Sequence, residues 1–219
     1  MNPDVSVVIT TYNRSNYLIK SLESVINKTY KNIEILVIDD GSTDNTSEIM
    51  ENIQKKFCDT VEIKYIRLEK NQGVSKARNV GILNAKGKYI KFLDDDDILY
   101  PWAIEKLYMF AEEKELDLVY SNLFIYKSSE GILKYIRFSS PPQKPLDLLF
   151  FLEYSPITIS SSISKKNAII NAGLFDEKLL LAEDWDLWYR MLLKDYKFEY
   201  IDIPSSVYTI HEKIQPKTK

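Results

Sequence analysis

Four short apolar runs, each ending in polar or acidic residues and each followed by a polar turn or a helix-like segment, constrain this chain more than any other feature. Val5–Thr11 is β-branched and apolar on both faces, the pattern of a strand buried inside a parallel sheet. Ser15–Asn27 then sets Leu18, Ile19, Leu22, Val25 and Ile26 at helical spacing. Ile33–Ile38 reads as a second buried strand, Val61–Leu68 as a third and Tyr89–Leu93 as a fourth. Between them the turn Gly41-Ser42-Thr43-Asp44 offers several N-caps for a helix running to Phe57, and a further helix is expected from Gly73 to Ala85. Pro101 suits the opening of a helix after the fourth strand. This alternation means right-handed βαβ units and an α/β fold with a mostly parallel sheet. Ligands in such sheets bind outside the carboxyl ends of the strands. Thr10-Thr11, Asp39-Asp40 and Asp94–Asp97 all fall at such ends, so they are expected on one rim.

The second half follows a different pattern. Asp117–Tyr126 and Ile132–Phe138 flank Ser128-Ser129-Glu130-Gly131, a hairpin signal. Pro141, Pro142 and Pro145 interrupt the chain. Ile157–Ser164 reads as a Ser-rich strand, Glu183–Lys194 as a helix, and Phe198–Ile203 and Val207–His211 as strands. With 219 residues and no visible linker, one domain is expected: a nucleotide-type half over 1–100, an acceptor-type half over 101–212 and a tail over 213–219.

Composition then excludes function classes. The net charge of −3, from 29 basic and 32 acidic side chains, supplies no field for a nucleic-acid backbone. One cysteine, Cys58, rules out an internal disulfide, and one histidine, His211, rules out a three-histidine metal site. The N-terminus lacks a basic n-region and a long apolar stretch, so a cytoplasmic protein is expected, with peripheral contact at the inner membrane face left open.

The acids are gathered rather than spread. Four adjacent carboxylates, Asp94–Asp97, repel one another unless a cation lies among them, and Mg²⁺ and Mn²⁺ take oxygen ligands of this kind. A solvated acidic turn capping the next helix is the alternative; the position directly after a buried strand favours the metal site. Asp39-Asp40-Gly41-Ser42 fits either an Asx turn with a helix cap or a carboxylate that accepts hydrogen bonds from a base or ribose. Glu183-Asp184-Trp185-Asp186 opens a helix, where acids also complement the dipole. Arg78 is either a solvated helix residue or a cation for a nucleotide. No Gly-rich phosphate loop is present, so phosphate would be handled by a metal and side chains.

Taken together, VSVVITTYNR (5–14), DDGSTDNT (39–46), NQGVSKARNVGILNAKGKYIKFLDDDDILYP (71–101), GLFDEKLLLAEDWDLWYRM (173–191) and YTIHE (208–212) resemble the GT-A fold, family 2 glycosyltransferases over nearly the whole chain. The resemblance implies a Rossmann-like, mostly parallel sheet flanked by helices, with a smaller mixed sheet on the acceptor side. It implies inverting transfer of a sugar from a nucleotide-diphosphate sugar, UDP-sugar foremost, to an acceptor hydroxyl in cell-surface polysaccharide or glycolipid synthesis. Thr10 and Tyr12 match a nucleoside-contacting strand end, and Asp40 with Asp39 matches the acid on the base. Arg78 matches a cation near the nucleotide, and Asp94-Asp95-Asp96 stands at the DxD motif. By the same resemblance Asp95 would contact ribose or metal, Asp96 and His211 would hold a divalent cation (Mn²⁺ or Mg²⁺), and Asp184 would be the general base. Thr209 stands where relatives often carry arginine, and the chain ends eight residues after His211, as a minimal or truncated catalytic domain would.

Two other enzyme readings fit less well. A nucleotidyltransferase would show a Gly-rich basic loop at the N-terminus. A Mg²⁺-dependent phosphatase would show an early nucleophilic Asp, whereas the first strand here ends in Thr10-Thr11. A non-catalytic nucleotide-sugar binder stays open. The acceptor, a saccharide or lipid-linked saccharide, would meet residues 120–180, where Tyr126, Tyr154 and Ser160–Ser162 carry no readable code.

Overall fold

A computed structural model of the chain describes residues 2–127, 131–136, 151 and 157–211. The strands are β1 (Val5–Thr11), β2 (Ile33–Asp39), β3 (Glu62–Arg67), β4 (Tyr89–Asp94), β5 (Ile98–Leu99), β6 (Leu118–Lys127), β7 (Ile132–Ile136), β8 (Ser162–Lys165) and β9 (Phe198–Ile210). The helices are α1 (Ser15–Ile26), α2 (Thr46–Phe57), α3 (Val74–Asn84), α4 (Ala103–Glu113), α5 (Lys166–Ala172) and α6 (Glu183–Leu192).

The strands form one mixed sheet in the order β3-β2-β1-β4-β8-β6-β9-β5, with β7 beside β6. The first four are parallel, as the βαβ pattern requires. β8 then runs antiparallel to β4, β6 antiparallel to β8, and β9 parallel to β6. β9 therefore points the same way as β1 and β4, and its carboxyl end reaches the rim on which theirs lie.

Both faces of the parallel half are covered. Val5, Val7 and Ile9 of β1 pack with Leu18, Leu22, Val25, Met50 and Leu107 from α1, α2 and α4. Val8, Leu36 and Ile38 face the other side, against Ala77, Ile82, Ile169 and Trp188 from α3, α5 and α6. That is why these strands read as continuous apolar runs rather than alternating ones. Gly81 sits where α3 meets β1: an added Cβ would lie 2.4 Å from Val8 Cγ1, so the close approach needs glycine. It also brings Arg78, one turn earlier on α3, to the rim.

Three expectations are corrected. Ile157–Ser164 is not one strand; a 3₁₀ turn over Ile159–Ser161 precedes β8. Its side chains bond back to the local chain, with Thr158 Oγ1 2.7 Å from Ser161 Oγ and Ser162 Oγ donating to Ile159 O at 3.3 Å, which favours a turn over a ladder. Phe198–Ile203 and Val207–His211 are halves of the single strand β9, whose register against β6 shifts opposite Ser121–Leu123. Pro101 lies in a turn just before α4, which begins at Ala103. β6 and β7 pair as the expected hairpin, from Lys127↔Ile132 to Leu123↔Ile136. The turn residues 128–130, Pro141, Pro142, Pro145, Tyr154 and the tail 213–219 lie outside the described residues. Among the described residues no helix is long and apolar enough to cross a membrane.

Candidate active site

The carboxyl ends of β1, β2 and β4 open onto a cavity of about 470 Å³, within the size range of small-ligand sites. Thr10, Tyr12, Asp40, Arg78, Asp94, Asp95 and Asp96 line it, whereas Asp184 and His211 are not among its lining residues. Tyr12 is 43% exposed.

Asp39 does not line it. Its carboxylate is fully buried and engaged, accepting from Ser42 N at 2.7 Å and Tyr65 Oη at 2.5 Å, with Arg67 Nε 3.8 Å away. The carboxylate closes the local turn onto Ser42 N, three residues on, and does not line the cavity. Asp40 accepts from Gln72 N at 2.7 Å and Gly73 N at 2.8 Å, fixing the loop before α3 against the end of β2. Burial pushes its carboxyl up from the ordinary value. Gly41 makes that contact possible: its φ is +79°, and a Cβ there would lie 2.6 Å from the Lys70 carbonyl carbon.

The loop after β1 is pinned to the loop after β2. Asn13, at φ 53°, accepts from Thr43 N at 2.7 Å and donates from its own N to Ser42 Oγ at 2.9 Å. Asp44 accepts from Ser15 N at 3.2 Å and Thr46 N at 3.1 Å, so one carboxylate serves the first turns of both α1 and α2.

The four acids after β4 have four fates. Asp94 accepts from Arg78 Nη2 at 2.8 Å. Asp95, buried, accepts from Thr11 Oγ1 at 2.6 Å and from Arg14 Nη1 at 3.3 Å; burial lifts its carboxyl to about 6. Asp96 accepts from Arg14 Nη1 at 2.7 Å, and its Oδ2 lies 3.1 Å from His211 Nε2. Asp97 turns inward, accepts from Thr209 N at 2.9 Å and is pushed to about 8 by burial. Lys91, wholly buried in β4, lies behind these acids and donates to Ser160 O and Ser162 O, so Ser160–Ser162 is core rather than acceptor surface.

Arg78 is a bridge as well as a lining residue. Its buried guanidinium donates to Asp94 and, at 2.6 Å, to Glu183 Oε1 at the start of α6. Asn79 beside it exchanges hydrogen bonds with Phe175 N and O, each at 2.9 Å. α3 thus holds the segment leading to Asp184. Ala182, at φ 58°, makes the turn into α6. Burial first, then the Glu183 charge, raises the Asp184 carboxyl; Arg78 opposes this.

The donor chemistry suits a hard divalent cation. An octahedral ion with ligands at about 2.1 Å holds neighbouring ligands about 3 Å apart, and Asp96 Oδ2 and His211 Nε2 are 3.1 Å apart. Among the described residues no three His, Cys, Asp or Glu side chains converge on one ion position.

Residues 6–171 match the Glycosyl transferase family 2 profile. The chain belongs to glycosyltransferase family 2. Among family 2 relatives, an uncharacterized glycosyltransferase of Methanocaldococcus jannaschii is 35% identical over 91% of this chain and 68% of its own length. The Escherichia coli protein WfaP, a UDP-Glc:alpha-D-GlcNAc-diphosphoundecaprenol beta-1,3-glucosyltransferase, is 31% identical over 94% of this chain and 77% of its own. The structure of S. aureus TarS 1-349 in complex with UDP aligns with a TM-score of 0.71 and 25% identity, covering 96% of this chain and 61% of that one. A Pyrobaculum calidifontis mannosyltransferase shares the fold at a TM-score of 0.72 and 15% identity, over 99% of this chain and 59% of that one. These two solved chains are longer, as is a Rickettsia felis relative of which this chain spans 30%.

Sequence alone does not single out Arg14, Asn79 or Lys91, and it marks Glu183 only as a member of the acidic cluster that opens α6. Lys91 carried a signal, as a lone cation inside an apolar strand. Arg14 and Asn79 did not: their partners are far away in sequence.

Proposed function

We propose that this family 2 chain transfers a sugar from a nucleoside-diphosphate donor, a UDP-sugar, to the hydroxyl of a saccharide or lipid-linked saccharide, with inversion and with a divalent cation. The observation that carries the reading is the junction at the rim: Arg78 joins the DxD strand end, through Asp94, to the helix that presents Asp184. The binding of UDP by TarS and the UDP-Glc donor and diphosphoundecaprenol-linked acceptor in the name of WfaP support the choice of nucleotide and acceptor class. An acceptor of that kind would place the work at the inner membrane face.

Tyr12 and Thr10 would meet the nucleoside, with Asp40 on the base and Asp95 at the ribose. Asp96 and His211 would hold the cation, which when bound supplies Lewis-acid stabilisation of the departing diphosphate. Asp184 takes the proton from the acceptor hydroxyl, which must come within about 3 Å of it. Burial raises its carboxyl above the ordinary aspartate value, which makes it a stronger base than an ordinary aspartate. With a single base and no second carboxylate acting as nucleophile, displacement is direct and inverts the anomeric carbon.

A panel of nucleotide sugars, each with and without Mn²⁺, tests this by thermal shift. One UDP-sugar should stabilise the protein more with the metal than without. Calorimetry of Asp96→Ala should show that metal-dependent increment lost. Equal stabilisation by UDP-sugars with and without metal would remove the cation from the reading.

A further inference from the structure

Among the described residues, Arg14 is the one side chain that touches both Asp95 and Asp96. Its Nη1 lies 3.3 Å from Asp95 Oδ1 and 2.7 Å from Asp96 Oδ2, between carboxylates that are 5% and 12% exposed while Arg14 itself is 49% exposed. Two neighbouring, poorly hydrated carboxylates repel each other, and a cation between them relieves that. The same Asp96 Oδ2 is the atom that lies 3.1 Å from His211 Nε2. Guanidinium and metal ion would therefore contend for one oxygen.

We propose that Arg14 is the resident counter-ion of the Asp95–Asp96 pair, and that its guanidinium leaves Asp96 when a divalent cation is taken up. This rests on the metal-dependent reading above and adds a residue to it. The surrounding backbone allows the exchange without a loop movement. Tyr17 N and Leu18 N donate to Arg14 O at 3.0 and 3.1 Å, and Asn13 is tied to Ser42 and Thr43, so the main chain on both sides is held. The half-exposed side chain can swing away by rotation about its own bonds. The Tyr17 ring centroid is 4.7 Å from that of His211, so the imidazole keeps a packing partner when the guanidinium moves. Arg14 thus keeps the acidic rim ordered before the ion arrives, at the cost of affinity for the bare ion. A donor diphosphate, which supplies further oxygens, tips the exchange.

Mn²⁺ binding measured by the loss of the free-ion paramagnetic resonance signal tests this without any turnover. Wild type, Arg14→Gln and Arg14→Lys are titrated, each with and without UDP. Without UDP, Arg14→Gln should bind Mn²⁺ roughly twofold to fivefold more tightly than wild type, the scale of releasing a half-exposed ion pair, with Arg14→Lys in between. Metal-free Arg14→Gln should also melt at a lower temperature than wild type and gain more from Mn²⁺. Equal or weaker Mn²⁺ binding by Arg14→Gln overturns the counter-ion role while leaving the metal reading intact. No Mn²⁺ bound by wild type or variant, with or without UDP, overturns both. Should Arg14→Gln fail to fold, the ranking of Arg14→Lys against wild type decides.

Discussion

Arg78 Nη1 lies 2.6 Å from Glu183 Oε1 across 105 residues of sequence. Both side chains are shielded, at 5% and 14% exposed, and the other arm of the guanidinium reaches Asp94. Removing the cation leaves Glu183 and Asp94 without their shared counter-ion, which normally costs more than the pair itself contributes. Arg78→Gln should lower unfolding free energy by about 2–3 kcal/mol, less than a fully buried pair because Asp94 is partly wet. Chemical denaturation measures it. A variant as stable as wild type would mean that Asn79 and the apolar contacts alone seat α6.

Gly41→Ala should act on both stability and donor binding. The φ of +79° and the 2.6 Å approach to the Lys70 carbonyl carbon leave no place for a methyl group. The strain is worth about 1–3 kcal/mol, and relief would pull residues 70–73 away from Asp40, whose two backbone hydrogen bonds depend on that position. Thermal melts and nucleotide titration should therefore worsen together. Loss of stability with unchanged nucleotide affinity would separate Asp40 from the ligand.

The contrast between Asp39 and Asp40 shows how far sequence reaches here. Strand ends, helices and the meeting of distant clusters on one rim follow from apolar periodicity and the βαβ rule, and Thr10, Tyr12, Asp40, Arg78 and Asp94–Asp96 line the cavity together. Which of two adjacent carboxylates faces outward depends on strand register, and Asp39 is claimed by Tyr65 and Arg67 of β3, a strand whose place in the sheet the sequence does not state. The same limit hid the charge balance of the rim. Counted along the chain the acids look bare, yet Arg14 and Arg78 lie among them. The run of serines at 160–162 misled in another way, because its side chains bond to the local backbone and to buried neighbours instead of extending as a strand.

Asp184→Asn should leave nucleotide binding intact and lower turnover by about 10²–10⁴-fold, the usual worth of a positioned general base. In wild type the ionised carboxylate is the active form, so the rate should climb with pH through a midpoint above the ordinary 3.8, in the direction set by burial and by Glu183. Arg78 favours the charged form, and its loss should move that midpoint upward. A midpoint that stays put in Arg78→Gln would show that the bridge does not reach the base electrostatically.

Lys28 gives a pH-dependent test of the fold away from the chemistry. Its buried ammonium donates to Leu99 O at 2.8 Å and Tyr100 O at 3.0 Å, holding α1 to the strand that follows the acidic turn, and burial pushes it down to about 7. The folded protein then binds fewer protons than the unfolded chain between about pH 7 and the ordinary 10.5. Stability due to this group therefore rises with pH across that window, and the full cost of the buried charge is present below it. Lys28→Met has no such group. The unfolding free energy of wild type relative to Lys28→Met should grow by about 2 kcal/mol between pH 7 and pH 10, less than the whole shift because the two carbonyls favour the charged ammonium. Urea titrations of both proteins at several pH values measure the difference. A gap that is constant with pH would mean that Lys28 stays protonated in the folded state throughout, its two carbonyl partners outweighing the burial.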